Sequence, residues 1–178
     1  MFGLRQLGMV SVDIVVAGLQ PMGDLLVGGL EAPFTMDCSD WPAVRMWPLE
    51  DHVADKIAAM YELHGDRQRP SSRFKDLVDL MVIAVKSPVD GATTYAALTA
   101  EVDRRRAAGT NVVLPEKFVV PDPSWTAGYR AAAARAYELP TEYRTLGGAV
   151  PLAEAFVAPL LQQQGPQGAW NTKRLVWC

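Results

Sequence analysis

Three ionisable side chains share a spacing that lines them along one helix edge, and a fourth, a lysine on an earlier run, borders a buried face. Arg73, Asp76 and Asp79 recur every three residues and form one polar edge along the otherwise apolar run from Arg73 to Lys86. The same spacing suits an intrahelical Arg–Asp pairing exposed to water, so position alone leaves both readings open. Lys56 lies three residues beyond Val53 and borders the buried face of an earlier helical run, where a cation can point into a neighbouring cleft. Asp13 is a fifth candidate. It interrupts the run Val10-Ser-Val-Asp-Ile-Val-Val, and burying a carboxylate there is costly unless it is paired, bound to a metal or set at the mouth of a cleft. The plainer alternative has Asp13 alternating outward on a strand with one wet face. His52, His64 and Asp66 are the residues a metal-dependent phosphohydrolase would use, but no His-Asp doublet occurs and Gly65 interrupts their helical presentation.

The elements that carry these groups follow from periodicity and breakers. Val10–Val16 is short and β-branched and ends at Gly18, which fits a buried strand. Gly18–Pro42 is rich in Gly, Pro and Asp, with Leu25–Val27 and Pro33–Phe34 as apolar anchors, and reads as a loop with room for one short strand. Ala43–Trp47 is a second strand, closed by Pro48. Residues 49–64 have apolar side chains at Leu49, Val53, Ile57 and Met60, with Glu50 and Asp51 near the positive end of the dipole, so a helix is expected there until Gly65 stops it. After a polar linker, Ser71 or Ser72 is placed to cap a helix over 73–86, apolar enough to be central in the core.

A third helix, 91–108, closes on Arg104-Arg-Arg, which suits the negative end of its dipole and reads as a solvated helix end in preference to a nucleic-acid patch. Residues 111–123 are extended, as a hairpin or a strap across the helices. Helices are expected over 124–139, with Trp125 and Tyr129 in the core, and over about 151–163. The segment 165–178 reads as a flexible tail, with Trp170 and Leu175–Trp177 available to fold back.

Bulk properties exclude several classes. With 178 residues, 49% of them hydrophobic, the chain can bury a real core, and a net charge of −3 gives no global field for nucleic acid, so any RNA contact must be local. Two cysteines, Cys38 and Cys178, make no zinc pattern and favour a reducing compartment. No stretch reaches the roughly 18 apolar residues of a membrane span, so the expectation is a cytoplasmic protein without a membrane partner.

Two stretches in order carry a resemblance: Pro48-Leu-Glu-Asp-His-Val-Ala-Asp-Lys-Ile-Ala-Ala-Met, and, after a short basic linker, Ser72-Arg-Phe-Lys-Asp-Leu-Val-Asp-Leu. They resemble the paired motifs of the AbiEii/AbiGii nucleotidyltransferase toxins, a helix with Ala-(Asp/Glu)-Lys-(Leu/Ile)-x-Ala and a helix opening Arg-x-(Arg/Lys)-Asp-Leu-x-Asp-Leu. The likeness continues more weakly through Asp122-Pro-Ser-Trp, Tyr129, Ala153–Leu161 and Trp170, and its specific part is residues 48–80. The resemblance implies an α+β protein: the end of a nucleotidyltransferase β-sheet of the DNA polymerase beta type in 1–47, a helical domain in 48–164 and the tail in 165–178.

It also implies a toxin of a bacterial toxin–antitoxin system that transfers NMP from a nucleoside triphosphate to RNA, the tRNA 3′ end being an acceptor used by some members, with Mg²⁺ as cofactor and an antitoxin protein as partner. By the same resemblance Lys56 contacts the triphosphate, Asp76 is a later functional carboxylate, Arg73 and Asp79 support them, and Asp13 is the third metal carboxylate. The family opens its site with Gly-Ser and a spaced Asp-x-Asp, and neither occurs in this sequence. The expectation is therefore a chain that starts late or is a decayed copy and does not transfer nucleotides unaided. The alternative is a helical remnant that binds antitoxin, nucleotide or RNA without catalysis.

Overall fold

The computed structural model describes residues 21–29 and 43–178. Asp13 and the strand expected over Val10–Val16 lie outside them. Two short strands, β1 (Leu26–Gly29) and β2 (Ala43–Met46), pair antiparallel with Leu26 opposite Met46 and Gly29 opposite Ala43. A helix follows, α1 (Leu49–Met60), and its buried Asp51 accepts the backbone N–H of Met22 at 2.6 Å and of Gly23 at 3.3 Å. A buried carboxylate satisfied by two amides fixes the chain ahead of β1 against the first turn of α1.

α1 buries the stripe Val53, Ile57 and Met60, the i, i+4, i+7 positions of one face. It ends at Met60, four residues before the end expected from Gly65. Glu62–His64 leaves as β3, which pairs antiparallel with both β4 (Arg69–Pro70) and β5 (Asn111–Val112). Strand partners on two sides satisfy backbone groups that one more helical turn would have left to water. Gly65, at φ +68°, then makes the turn between β3 and β4 instead of a helix stop.

The central element is α2 (Phe74–Lys86), which packs against α1 and two later helices and buries Leu77, Val78, Leu80, Met81 and Ala84. Neither serine caps it by a side chain at the N-cap, which is Arg73; Ser71 Oγ instead accepts the Arg73 N–H at 3.3 Å. α3 (Gly91–Ala107) is capped by Asp90, whose Oδ1 accepts from Thr93 N at 2.8 Å and from its hydroxyl at 2.7 Å. It lies along α1, the most extensive helix pairing in the fold.

From β5 the chain crosses as a strap to α4 (Trp125–Ala133), where Trp125 and Tyr129 are buried as expected. α4 stops six residues before Leu139, the chain going on in tight i+3 turns in which Ala136 N–H bonds Ala133 O and Leu139 N–H bonds Ala136 O, and Arg144 takes the carbonyls of Leu139 and Tyr137. The last helix, α5 (Leu146–Val157), begins five residues before Pro151, capped by Thr145. Pro151 is tolerated in its second turn, where its missing N–H forfeits one backbone bond. A 3₁₀ turn, Ala158–Leu161, ends it.

Residues 165–178, expected as a tail, are docked on the core. β6 (Trp170–Asn171) and β7 (Val176–Trp177) form a hairpin, and Trp170, buried, donates its indole N–H to Ala84 O at 2.6 Å. The Trp170 ring meets Phe156 and Trp177 at centroid distances of 4.8 and 5.4 Å. Among the described residues, five helices with small antiparallel sheets make the fold α+β, as expected. No helix among the described residues is long and apolar enough to cross a membrane.

Candidate functional site

The seam between α1 and α2 gathers four of the five residues singled out in the sequence. Asp76, in the first turn of α2, is 5% exposed. Arg73, just ahead of that helix, donates Nε to Asp76 Oδ2 at 2.6 Å and a terminal nitrogen to Oδ1 at 3.5 Å. Lys56 reaches across from α1, with Nζ 3.8 Å from Asp76 Oδ1 and 2.6 Å from Asp79 Oδ2. Each end of the row Arg73–Asp76–Lys56–Asp79 is open to water, since the side chains of Arg73 and Asp79 are about half exposed.

The intrahelical Arg–Asp pair is therefore present, but it is not a solvated ornament, because its carboxylate is buried and shared with a lysine from another helix. Burying Asp76 without such partners would cost several kcal/mol. The hydrogen bond to Asp76 holds the Arg73 guanidinium above its ordinary pKa, outweighing partial burial. Two cations and two anions make the row neutral as it stands.

A second charged group, which the sequence reading missed, flanks the first. Arg105 on α3 donates to Asp55 at 2.6 Å, to Glu101 at 2.6 Å and to Glu62 of β3, so one guanidinium ties α1, β3 and its own helix together. Its side chain is 16% exposed, and the arginine triplet is thus not simply a solvated helix end. Arg104 also binds Glu101, while Arg106 donates to the Val112 carbonyl. Burial raises the Glu101 pKa, but the hydrogen bonds from Arg104 and then Arg105 outweigh it and hold the carboxyl below its ordinary value. The local signal was Glu101 four residues before Arg105; its long-range partners leave no mark in periodicity.

His52 and His64 are exposed, and His64 pairs with Glu62 at 3.3 Å. Among the described residues no three His, Cys, Asp or Glu side chains gather so as to hold a metal ion. Asp76 and Asp79 are each bonded to a cation, so this set alone does not fit the Mg²⁺ that the resemblance implies, and Asp13 lies outside the described residues.

The sequence model of the family described as nucleotidyl transferase AbiEii toxin, type IV TA system, matches residues 9–158. The chain belongs to this family. No curated protein and no solved structure matches it significantly. The AbiEii match takes in the whole charged row and the five helices of the described residues, while the docked hairpin lies beyond it. Membership of the AbiEii family gives the protein the setting of a nucleotidyl transferase toxin of a type IV toxin–antitoxin system.

Proposed function

We propose that the α1–α2 seam is the part of a nucleotidyltransferase site that receives the triphosphate, in the transfer of a nucleoside monophosphate to RNA. Lys56 carries the reading: it is held between a buried carboxylate, Asp76, and an exposed one, Asp79. Asp76 keeps the ammonium in place, whereas Asp79 can give way to an incoming phosphate without leaving a charge buried. Arg73 offers a second, half-exposed cation beside it.

In the reaction an RNA hydroxyl oxygen forms a bond to the α-phosphorus, the α–β phosphoanhydride bond breaks, the hydroxyl proton passes to solvent and pyrophosphate leaves. Lys56 and Arg73 neutralise the charge that collects on the leaving phosphates. The described carboxylates do not by themselves form a Mg²⁺ site. The tRNA 3′ end is the first acceptor to test, and the same reading has the protein in the cytoplasm with an antitoxin as partner, on the strength of the family.

The test is nucleotide binding and transfer by Lys56→Ala and Asp76→Asn variants. Loss of triphosphate affinity in both, with the fold intact, supports the assignment; affinity indifferent to both removes it. Binding that depends on Lys56 but leads to no transfer, even in a polypeptide extended by a segment bearing Gly-Ser and Asp-x-Asp, would favour the alternative of a non-catalytic nucleotide-binding module.

A further inference from the structure

Beside the charged seam lies a small apolar cavity that no step so far uses. It holds about 230 Å³ and sits where the end of α1, the β3–β4 hairpin and the strap after β5 meet. Met60, Tyr61 and Ser71 line it and are buried, whereas Val113 and Val119, which also line it, are 53% and 43% exposed. Two β-branched apolar side chains thus stand at the mouth of an apolar cavity, where an apolar ligand would take them out of water.

The polar groups are few. The Tyr61 hydroxyl is committed to the Val119 carbonyl at 3.0 Å. Ser71 Oγ accepts the Arg73 N–H, and among the described residues its own proton has no assigned acceptor. Pockets for drug-sized molecules run to about 300–1,000 Å³, so this one suits a single planar ring system and not a whole nucleotide.

Its position says what that ring is attached to. Met60 follows Lys56 by one helical turn, and Ser71 precedes Arg73 by two residues, hence by at most about 7 Å of chain. We infer that the cavity receives the base of the nucleotide whose phosphates bind Lys56 and Arg73, with Val113 and Val119 against the ring faces and the Ser71 hydroxyl as a donor to its edge. This inference rests on the proposed triphosphate site.

Inorganic tripolyphosphate, which carries the phosphates without the base, separates the two. Calorimetric titration of the 178-residue chain with each nucleoside triphosphate and with tripolyphosphate is expected to give at least about tenfold tighter binding of the nucleotides, the scale of burying an aromatic ring. Val119→Trp and Val113→Trp fill the mouth while keeping their backbone bonds to Tyr61, and thermal melts confirm that each is folded. Both are expected to erase most of the nucleotide advantage and to leave tripolyphosphate affinity unchanged.

A nucleotide advantage unaltered in both folded variants, or no advantage in the parent chain, overturns the base pocket while leaving the phosphate site standing. Lys56→Ala should weaken both probes equally. If it weakens neither while the Trp variants still reduce nucleotide binding, the pocket stands and the phosphate site falls. Absence of binding by the parent chain removes both, and a change of oligomeric state in the Trp variants without loss of nucleotide binding would make the mouth a contact between copies of the chain.

Discussion

Lys56 Nζ stands 2.6 Å from the exposed carboxylate of Asp79 and 3.8 Å from the buried one of Asp76. The nearer partner is the one that can be exchanged. Asp79 is half in water, where an ion pair is worth about 0–1 kcal/mol, so a phosphate can replace it at small cost. Asp79→Asn is therefore expected to strengthen tripolyphosphate binding several-fold at low salt, an effect that fades as ionic strength rises. Weaker binding in Asp79→Asn would show that Asp79 supports the site instead of competing for it.

Transfer should depend on the missing motif. Labelled nucleotide is expected not to reach tRNA with the 178-residue chain, which has no Gly-Ser and no Asp-x-Asp. In a polypeptide extended by a segment bearing both, transfer should appear, and Lys56→Ala should lower it on the order of 100- to 1000-fold, as loss of one preorganised electrostatic contact does. Robust transfer by the unextended chain would point to another active site.

Arg105 should matter far more to stability than its neighbour Arg104. Arg105→Ala strips the shared cation from Asp55, Glu62 and Glu101 and is expected to cost about 3 kcal/mol, whereas Arg104, 42% exposed, should cost under about 1 kcal/mol. Paired urea melts decide between this ranking and its reverse.

The same group sets an acid limit. Glu101 has a folded-state pKa below its unfolded value, so it binds fewer protons when folded, and its stabilising contribution is present above the unfolded pKa, about 4.3, and lost as pH falls further. Glu101→Gln should flatten the fall in stability below about pH 4.3. An unchanged acid limb would assign the loss to other carboxylates.

Trp170→Ala should cost about 3–5 kcal/mol, the range for emptying a large aromatic site. A change within about 0.5 kcal/mol, typical of surface positions, would mean that the hairpin is not held by its ring.

Much of this was legible in the chain. The 3.6-residue spacing of Val53, Ile57 and Met60 fixed α1, and the unbroken apolar run after Arg73 marked α2 as central. The row Arg73–Asp76–Asp79 could be read because its members share one helix. Lys56 needed the family motif to join them, for nothing local says that a lysine on one helix meets an aspartate 23 residues later. Arg105 was misjudged for the same reason, its partners Glu62 and Asp55 lying 43 and 50 residues away. The end of α1 was misplaced because Glu62–His64 takes its structure from strand partners, not from its own helical propensity. Composition was a poor guide to residues 165–178: three glutamines precede them and Gly165 and Gly168 fall among them, yet one indole N–H finds a buried carbonyl.

That indole has a consequence for synthesis. Ala84 O waits for a donor 86 residues further along, which at about 5–20 residues per second leaves the ribosome roughly 4 to 17 s later. During that interval α2 is already outside, carrying Arg73, Asp76 and Asp79, while the rings that cover its far end have not yet been made. A nascent chain of this toxin family thus holds the helix of its charged row in an unfinished core until translation has passed Trp170.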